Sequence, residues 1–428
     1  MSAADLTAGW REELDRELRH NILGFWMEHA PAAGDSGFVG EIGADMDVRG
    51  DADRSLVLNA RILWTFSAAY RRFGSEEYLS IADRAYRYLQ ERFLDRKYGG
   101  YYWMVHADGS AAETKKQVYG QAFAIYALSE YAQALDESAR AGAAEAGSEE
   151  RRSLRSELES GARELYRLIE AHSRDPLHGG YIEAHAEDWS DTEDFSLSGK
   201  DLNEKKSMNT HLHVLEGYTN LYRIWPSDEL KNRLGELIEV TLTHIVDPAS
   251  GHFRLFFDDE WNVKSDHVSY GHDIEGSWLL MEAAEALGGE ALIERAKATA
   301  LKMAEAVLRR GVDADGGIWN EASGGSLVDD SKDWWPQAEA MVGFYNAYEL
   351  TGDAAYREAA ARSWAFIRDY LVDREFGEWY WSVSNDRTPN RKEPKVSAWK
   401  CPYHNGRACL EMLARLERTE AALQESSR

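Results

Sequence analysis

The sequence predicts an all-α fold, an (α/α)6 barrel of about twelve helices with short β-hairpins at one end. Three observations predict it: a turn motif that occurs six times, two amphipathic segments for each copy, and an alternation of apolar and charged segments. Repeats of this length indicate stacked or ring-like units, each of which buries its apolar face against the next. An inner ring of helices enclosed by an outer ring satisfies all three observations.

The repeated motif is an aspartate followed by a glycine and then by aromatic or β-branched residues. Successive motif glycines lie 62, 80, 72, 65 and 61 residues apart. Aspartate and glycine favour turns, and the apolar run after them is typical of a short hairpin strand. The six copies begin at Asp35, Asp95, Asp175, Asp247, Asp315 and Asp373.

Between the hairpins, apolar residues recur at the i, i+3, i+4 and i+7 spacing of an amphipathic helix. The predicted helices are 5–29, 55–73, 77–94, 115–135, 152–173, 207–225, 228–246, 272–287, 290–310, 333–351, 354–371 and 403–417.

The two helices of each pair differ in composition. Segments 58–70 and 121–135 are mostly apolar, which favours the inner ring, whereas 76–93 carries a charged face and suits the outer ring. An open solenoid of helix pairs would show the same periodicity, so closure of the ring is an expectation at this point.

We expect residues 1–428 to form one catalytic domain. The longest interval between motifs contains residues 136–152, which are rich in Ala, Glu, Gly and Ser. This composition is typical of an exposed insertion at the surface.

The chain carries 75 acidic and 49 basic residues, a formal charge of −26. This field repels nucleic acid and anionic membranes and suits a neutral ligand. The first residues lack a secretory signal, and no apolar stretch is long enough to cross a membrane. Only two cysteines occur, which fits a reducing compartment. We therefore expect a cytoplasmic protein that binds neither nucleic acid nor membrane. A monomer or weak homodimer is a separate expectation.

Three histidines lie near the starts of predicted inner helices: His213, His272 and His404. Helical spacing places Asn209 beside His213, and points His211 away from that face. The same spacing pairs His272 with Glu275, Trp335 with Glu339, and His404 with Arg407. A single helical histidine is usually structural, but three in corresponding repeats favour a shared site. No metal-binding motif occurs, and we expect no metal and no cofactor.

Facing imidazoles suit proton transfer at a carbon next to a carbonyl group. The reaction also needs a group that holds the negative oxygen formed on the way. Arg61, within an apolar segment, is the candidate. A salt bridge from Arg61 to a buried acid is an equal alternative.

Six long segments together resemble the N-acylglucosamine 2-epimerase superfamily, most closely the branch that acts on β-1,4-linked disaccharides. The resemblance covers nearly the whole chain. It is carried by LNARILWTFSAAYR (58–71), QAFAIYALSE (121–130), SMNTHLHVLEGYTNLYRIWP (207–226), GHDIEGSWLLMEA (271–283), DWWPQAEAMVGFYNAY (333–348) and KCPYHNGRACLEML (400–413).

The resemblance implies a metal-independent epimerase on an (α/α)6 barrel. Its substrates would be disaccharides such as cellobiose, lactose and glucosyl-mannose, with aldose–ketose isomerisation as a side activity. His272 and His404 match the pair that exchanges the C2 proton through a cis-enediolate. His213 matches the histidine associated with ring opening, and Arg61 matches the arginine at the reacting end. Sugar contacts are implied for Asn209, Asp201, Glu275, Glu339, Trp335, Trp399 and Tyr119.

Three other functions stay open at this point. A monosaccharide epimerase or mannose isomerase would use the same residues, because one enediolate leads to both products. A glycoside hydrolase would need two carboxylates on either side of a glycosidic bond; Asp273, Glu275 and Glu339 are candidates, but they leave the histidines unexplained. A sugar-binding protein without catalysis would need neither facing imidazoles nor an arginine.

Overall fold

The computed structural model describes residues 3–34, 37–140, 148–199 and 201–426, and it is an (α/α)6 barrel. Within these residues, twelve helical segments match the twelve predicted ones, and four of them include π-helical turns. They are α1 (Ala3–Arg16, continued by Glu17–Leu23 and Gly24–His29), α2 (Leu56–Phe73), α3 (Glu76–Tyr88, continued by Leu89–Phe93), α4 (Val118–Arg140), α5 (Ser148–His172), α6 (Met208–Ile224), α7 (Asp228–Val240, continued by Thr241–Ile245), α8 (Tyr270–Leu287), α9 (Glu290–Arg310), α10 (Trp334–Thr351), α11 (Ala354–Phe366, continued by Ile367–Leu371) and α12 (Tyr403–Ser426).

The even-numbered helices form the inner ring. Each packs against the next, and α12 packs against α2, so the ring is closed and the open solenoid is wrong. The odd-numbered helices form the outer ring: α3, α5, α7, α9 and α11 each pack on the inner helix that precedes them, and α1 packs on α12. The inner helix α2 is buried along most of its length, while α3 exposes its charged face, as their compositions predict.

Short antiparallel strands lie at the N-terminal ends of the inner helices. In five repeats, the strand directly before an inner helix pairs with the first strand of the hairpin in the next repeat. These pairs are Arg54–Ser55 with Met104–Val105, Lys116–Gln117 with Ala184–His185, Lys206–Ser207 with Phe256–Phe257, His267–Ser269 with Glu321–Ser323, and Lys332–Asp333 with Ser382–Val383. The predicted hairpins therefore lie at one end of the barrel.

The repeated aspartate organises each turn. Oδ1 of Asp95 accepts the backbone N–H groups of Lys97 and Tyr98, and the turn closes through Gly99, whose φ of +76° suits glycine. The Oδ2 atom accepts a hydrogen bond of 2.7 Å from Nζ of buried Lys116, which leads into α4. The equivalent buried pairs are Asp175 with Lys206, Asp315 with Lys332, and Asp373 with Lys395. Asp35, the first motif aspartate, lies outside the described residues.

The predicted insertion differs from a simple loop. Residues 136–140 continue α4 and residues 148–152 belong to α5, so both ends of the segment are helical. Residues 141–147 lie outside the described residues. Across the described part of the chain, no helix has both the length and the apolar character needed to cross a membrane.

Candidate functional site

The N-terminal ends of the inner helices surround a cleft of about 570 Å³. Of the eleven side chains predicted for the site, all but Glu339 line this cleft, and Glu339 lies directly behind it. The ten lining residues are Arg61, Tyr119, Asp201, Asn209, His213, His272, Glu275, Trp335, Trp399 and His404.

His404 is the second residue of α12, and a carboxylate orients its imidazole ring. Its Nδ1 atom lies 2.7 Å from Oε1 of Glu339 on α10. Arg407 also donates to that oxygen, so the oxygen is an acceptor and Nδ1 of His404 is the donor. Burial lowers the pKa of the His404 imidazole well below its usual value. The ring is therefore neutral near pH 7, and Nε2 carries the lone pair of a base.

His213 lies on α6 and has a similar partner on its own helix. Its Nδ1 atom lies 3.0 Å from Oε2 of Glu216, one turn further along. The ring packs against Phe123 and Tyr119, with centroid distances of 4.6 and 4.9 Å. Burial lowers the pKa of His213 to about 3, so this imidazole is also neutral at physiological pH.

His272 lies on α8 and has a hydroxyl partner. Its Nδ1 atom lies 2.8 Å from Oγ of Ser269, and its ring contacts Trp335 at a centroid distance of 4.6 Å. The Trp335 ring also contacts His404, at 5.5 Å. A Cβ atom on Gly271 would lie 2.6 Å from the Trp335 ring, so glycine is required for this approach. Burial lowers the pKa of His272 to about 3.

Arg61 is buried on α2 and bonds to neutral groups. Nη2 donates to the Tyr119 hydroxyl at 2.8 Å, and the guanidinium lies over the rings of Phe123 and Tyr403 at 4.3 and 4.9 Å. Among the described residues, no carboxylate lies within 4.0 Å of this guanidinium. The salt-bridge alternative for Arg61 is therefore wrong, and its positive charge is available to an oxygen in the cleft.

Arg407 lies at the base of the site and joins three glutamates. Nη2 donates to Glu275 and Glu339 at 2.6 Å each, and Nη1 donates to Glu216. In the described chain, the one group of three or more side chains with metal-ligand geometry is Glu275, Glu339 and His404. Because Arg407 binds both of its carboxylates, a guanidinium already supplies the cation that this group attracts.

Two acceptor atoms at the cleft have no protein partner. Oε2 of Glu275 and Oδ1 of Asn209 are buried atoms without a hydrogen bond, and both residues line the cleft. Nearby, Asp201 accepts a hydrogen bond of 2.6 Å from Ser198. Buried acceptors without partners are costly, so these atoms fit a ligand that carries hydroxyl groups.

His211 has a structural role, as its position on the helix predicts. Its Nε2 atom accepts the backbone N–H of Tyr181 at 2.9 Å, and its Nδ1 atom lies 2.6 Å from the Ser207 carbonyl oxygen. Both ring nitrogens are therefore occupied within the fold.

Sequence reasoning missed two residues of the site and left a third without a role. Glu216 and Tyr403 were not identified, although the i, i+3 spacing of His213 and Glu216 was visible. The Tyr403 hydroxyl donates to Glu216. Arg407 was placed on the face of His404 without a function. The three glutamates that Arg407 contacts lie on different helices, and only the closed ring brings them together.

Comparisons with known proteins identify the family and the fold. The model of the N-acylglucosamine 2-epimerase (GlcNAc 2-epimerase) family matches residues 37–408. The chain is 43% identical over 404 residues to a cellobiose 2-epimerase of Bacteroides fragilis, covering 94% of this chain and 98% of that protein. A solved cellobiose 2-epimerase from Bacillus thermoamylovorans superposes with a TM-score of 0.87 at 38% identity, covering 95% and 100% of the two chains. A solved D-mannose isomerase has a TM-score of 0.78 at 22% identity, covering 94% and 97%, and shares the fold.

Proposed function

The chain belongs to the N-acylglucosamine 2-epimerase family, and from this premise we propose that it converts the reducing-end glucose of β-1,4-linked disaccharides to mannose. Family membership and the full-length relatives make it a carbohydrate epimerase, which is an isomerase. Cellobiose and lactose are the proposed substrates, with glucosyl-mannose as the product from cellobiose.

The observation that carries the proposal is the pairing of His272 and His404 with Arg61 in one cleft. Both imidazoles contact Trp335, and Arg61 lines the same cleft without a salt bridge to any described residue. Two imidazoles can deliver and remove a proton at one carbon, and a guanidinium without a salt bridge can stabilise an oxygen that becomes negative.

In the proposed reaction, His213 assists the opening of the pyranose ring by moving a proton between the sugar oxygens. One imidazole of the His272 and His404 pair then removes the C2 proton of the open-chain aldose. The bonding electrons move into the C1–C2 bond, and the carbonyl oxygen becomes the enediolate oxygen that Arg61 holds. The other imidazole takes up a proton from solvent beside the negative enediolate and delivers it to C2 from the opposite face, while the first imidazole releases its proton to solvent. Ring closure then gives the epimer.

The remaining site residues are proposed to hold the sugar. Oε2 of Glu275 and Oδ1 of Asn209 would accept hydroxyl hydrogens, and Asp201 would bind the part of the substrate nearer the surface. Trp335 and Trp399 would supply apolar faces to the pyranose rings. No step requires a metal or a cofactor.

The test is incubation of EDTA-treated protein with cellobiose in D2O, followed by proton NMR of C2. Glucosyl-mannose with deuterium at C2 and no free glucose supports the proposal. If cellobiose stays unchanged while free mannose or N-acetylmannosamine exchanges its C2 proton, the protein is a monosaccharide epimerase or isomerase. Release of glucose would indicate a hydrolase, which the geometry disfavours because Glu275 and Glu339 both accept hydrogen bonds from the same Arg407 Nη2 atom and so do not lie on either side of a glycosidic bond.

Three further expectations belong to this proposal. We infer that residues 1–428 act as one catalytic domain, since the inner ring closes between its first and last helices. A cytoplasmic location and a monomer or weak homodimer remain predictions from the sequence.

A further inference from the structure

Three serines that precede helices of the barrel cap those helices with their hydroxyl groups. Ser55 before α2 and Ser207 before α6 accept the backbone N–H of the residue three positions later, at 2.9 and 3.1 Å. Ser227 caps the outer helix α7 in the same way, at 3.3 Å. This is the ordinary capping bond of a helix N-terminus.

Ser269 occupies the same position before α8 but makes a different bond. Its side chain makes no capping hydrogen bond. The residue three positions later is His272, and the Ser269 hydroxyl bonds to the imidazole Nδ1 of that residue at 2.8 Å. Helix α8 therefore lacks the side-chain cap that α2, α6 and α7 have, and the hydroxyl is directed to a side chain of the cleft.

The choice of a hydroxyl distinguishes His272 from the other two histidines. Glu339 and Glu216 are carboxylates, which accept only and hold a proton on Nδ1 of His404 and His213. A hydroxyl both donates and accepts, so Ser269 can bond to Nδ1 of His272 with or without its proton. The ring then keeps one orientation while its protonation changes.

We propose that Ser269 is a positioning residue that holds His272 with Nε2 directed into the cleft in each protonation state of the ring. Ser269 is 4% exposed and is held by strand pairing with Glu321, so its hydroxyl has a defined place. Trp335 supports the ring face, and Ser269 determines its rotation. This inference rests on the proposed function in that it assigns Ser269 to the epimerisation site.

The experiment compares Ser269→Ala and Ser269→Thr with the matched control Ser227→Ala. For each protein, kcat, KM and the primary deuterium isotope effect with C2-deuterated cellobiose are measured, together with Tm. Ser269→Ala should lower kcat at least tenfold, change KM little and alter the isotope effect, because the proton transfer through His272 is slowed. Ser269→Thr should recover much of the rate. Ser227→Ala should lower Tm and leave kcat and the isotope effect unchanged.

Unchanged kcat and isotope effect in Ser269→Ala would overturn the inference. So would a loss of rate with an unchanged isotope effect, because a smaller fraction of folded enzyme lowers the rate without changing that ratio. An inactive wild type would instead contradict the proposed function. In that case 15N NMR of histidine-labelled protein decides: the His272 Nδ1 resonance should shift in Ser269→Ala and stay in place in Ser227→Ala.

Discussion

Oε1 of Glu339 lies 2.7 Å from Nδ1 of His404 and accepts a hydrogen bond from it. The same oxygen accepts from Arg407, and the other oxygen of this carboxylate accepts from the Trp278 indole at 3.0 Å. Three hydrogen bonds therefore fix the Glu339 carboxylate, and the carboxylate in turn fixes the orientation of the His404 imidazole. It lies behind the cleft, which makes its effect on chemistry indirect.

Replacing Glu339 by glutamine should lower kcat roughly 10²-fold, within the range that proton transfer by a positioned side chain contributes. The amide is nearly the same size but has no charge to hold the Nδ1 proton of His404. KM should change little, because Glu339 does not line the cleft. The rate of C2 deuterium incorporation into cellobiose measures the loss.

Glu349→Gln is the matched control, since Glu349 lies on the same helix and pairs with Arg415. This control should retain kcat. Equal losses in both variants would mean that Glu339 acts only through the stability of α10.

Arg61 should contribute to catalysis through its charge. Arg61→Met keeps an apolar contact with Phe123 but removes the cation, and kcat should fall about 10²- to 10³-fold, as for loss of one group that stabilises an oxyanion. Arg71 lies on the same helix and pairs with Glu130 at 2.7 Å. Arg71→Met should therefore lower Tm without this loss of kcat. An Arg61→Met enzyme with normal kcat would remove Arg61 from the mechanism.

Chelation should leave the rate unchanged. The acidic group beside His404 is bridged by Arg407, so the enzyme does not need a divalent cation at that place. The measurement is the epimerisation rate after dialysis against EDTA, with and without added divalent cations. Loss of activity that one cation restores would contradict this interpretation.

The parts of the molecule that follow from periodicity were predictable. The helical spacing predicts the twelve helices, and the repeated Asp–Gly turn predicts the hairpins. Helices and turns are both determined by residues that are close in sequence. The alternation of apolar and charged segments separated α2 from α3. Helix ends were less predictable: α4 begins at Val118, after the strand Lys116–Gln117, because that strand pairs with the next repeat.

The candidate site also has a part that the sequence predicts and a part that it does not. The resemblance identified the residues that line the cleft, but the partners of those residues were largely hidden. Arg407 meets Glu216 from α6, Glu275 from α8 and Glu339 from α10. No spacing along the chain connects these helices; only the closed ring brings them together. The role of Ser269 was equally hidden, because a serine before a helix predicts an ordinary cap.

The last prediction concerns acid stability and His211, which is buried outside the cleft. Burial lowers its pKa to about 4, while an unfolded histidine has a pKa of about 6.5. Between these values the unfolded chain binds a proton that the folded chain does not, so stability is full above about pH 6.5 and falls as the pH approaches 4. At pH 5 this single group should cost about 2 kcal/mol of unfolding free energy.

Residues at the equivalent position of other repeats suggest a variant that tests the role of His211 in acid stability. Gln121 and Gln337 occupy the equivalent position in α4 and α10, and each accepts the backbone N–H of its own turn, from Tyr101 and Ile318. His211→Gln should therefore fold and keep its activity at pH 7, yet lose about 2 kcal/mol less than the wild type between pH 7 and pH 5. Urea unfolding at both pH values measures this difference. The exposed control His178→Gln should follow the wild type. If His211→Gln shows the same acid loss as the wild type, another buried group accounts for the acid sensitivity, and the assignment to His211 is wrong.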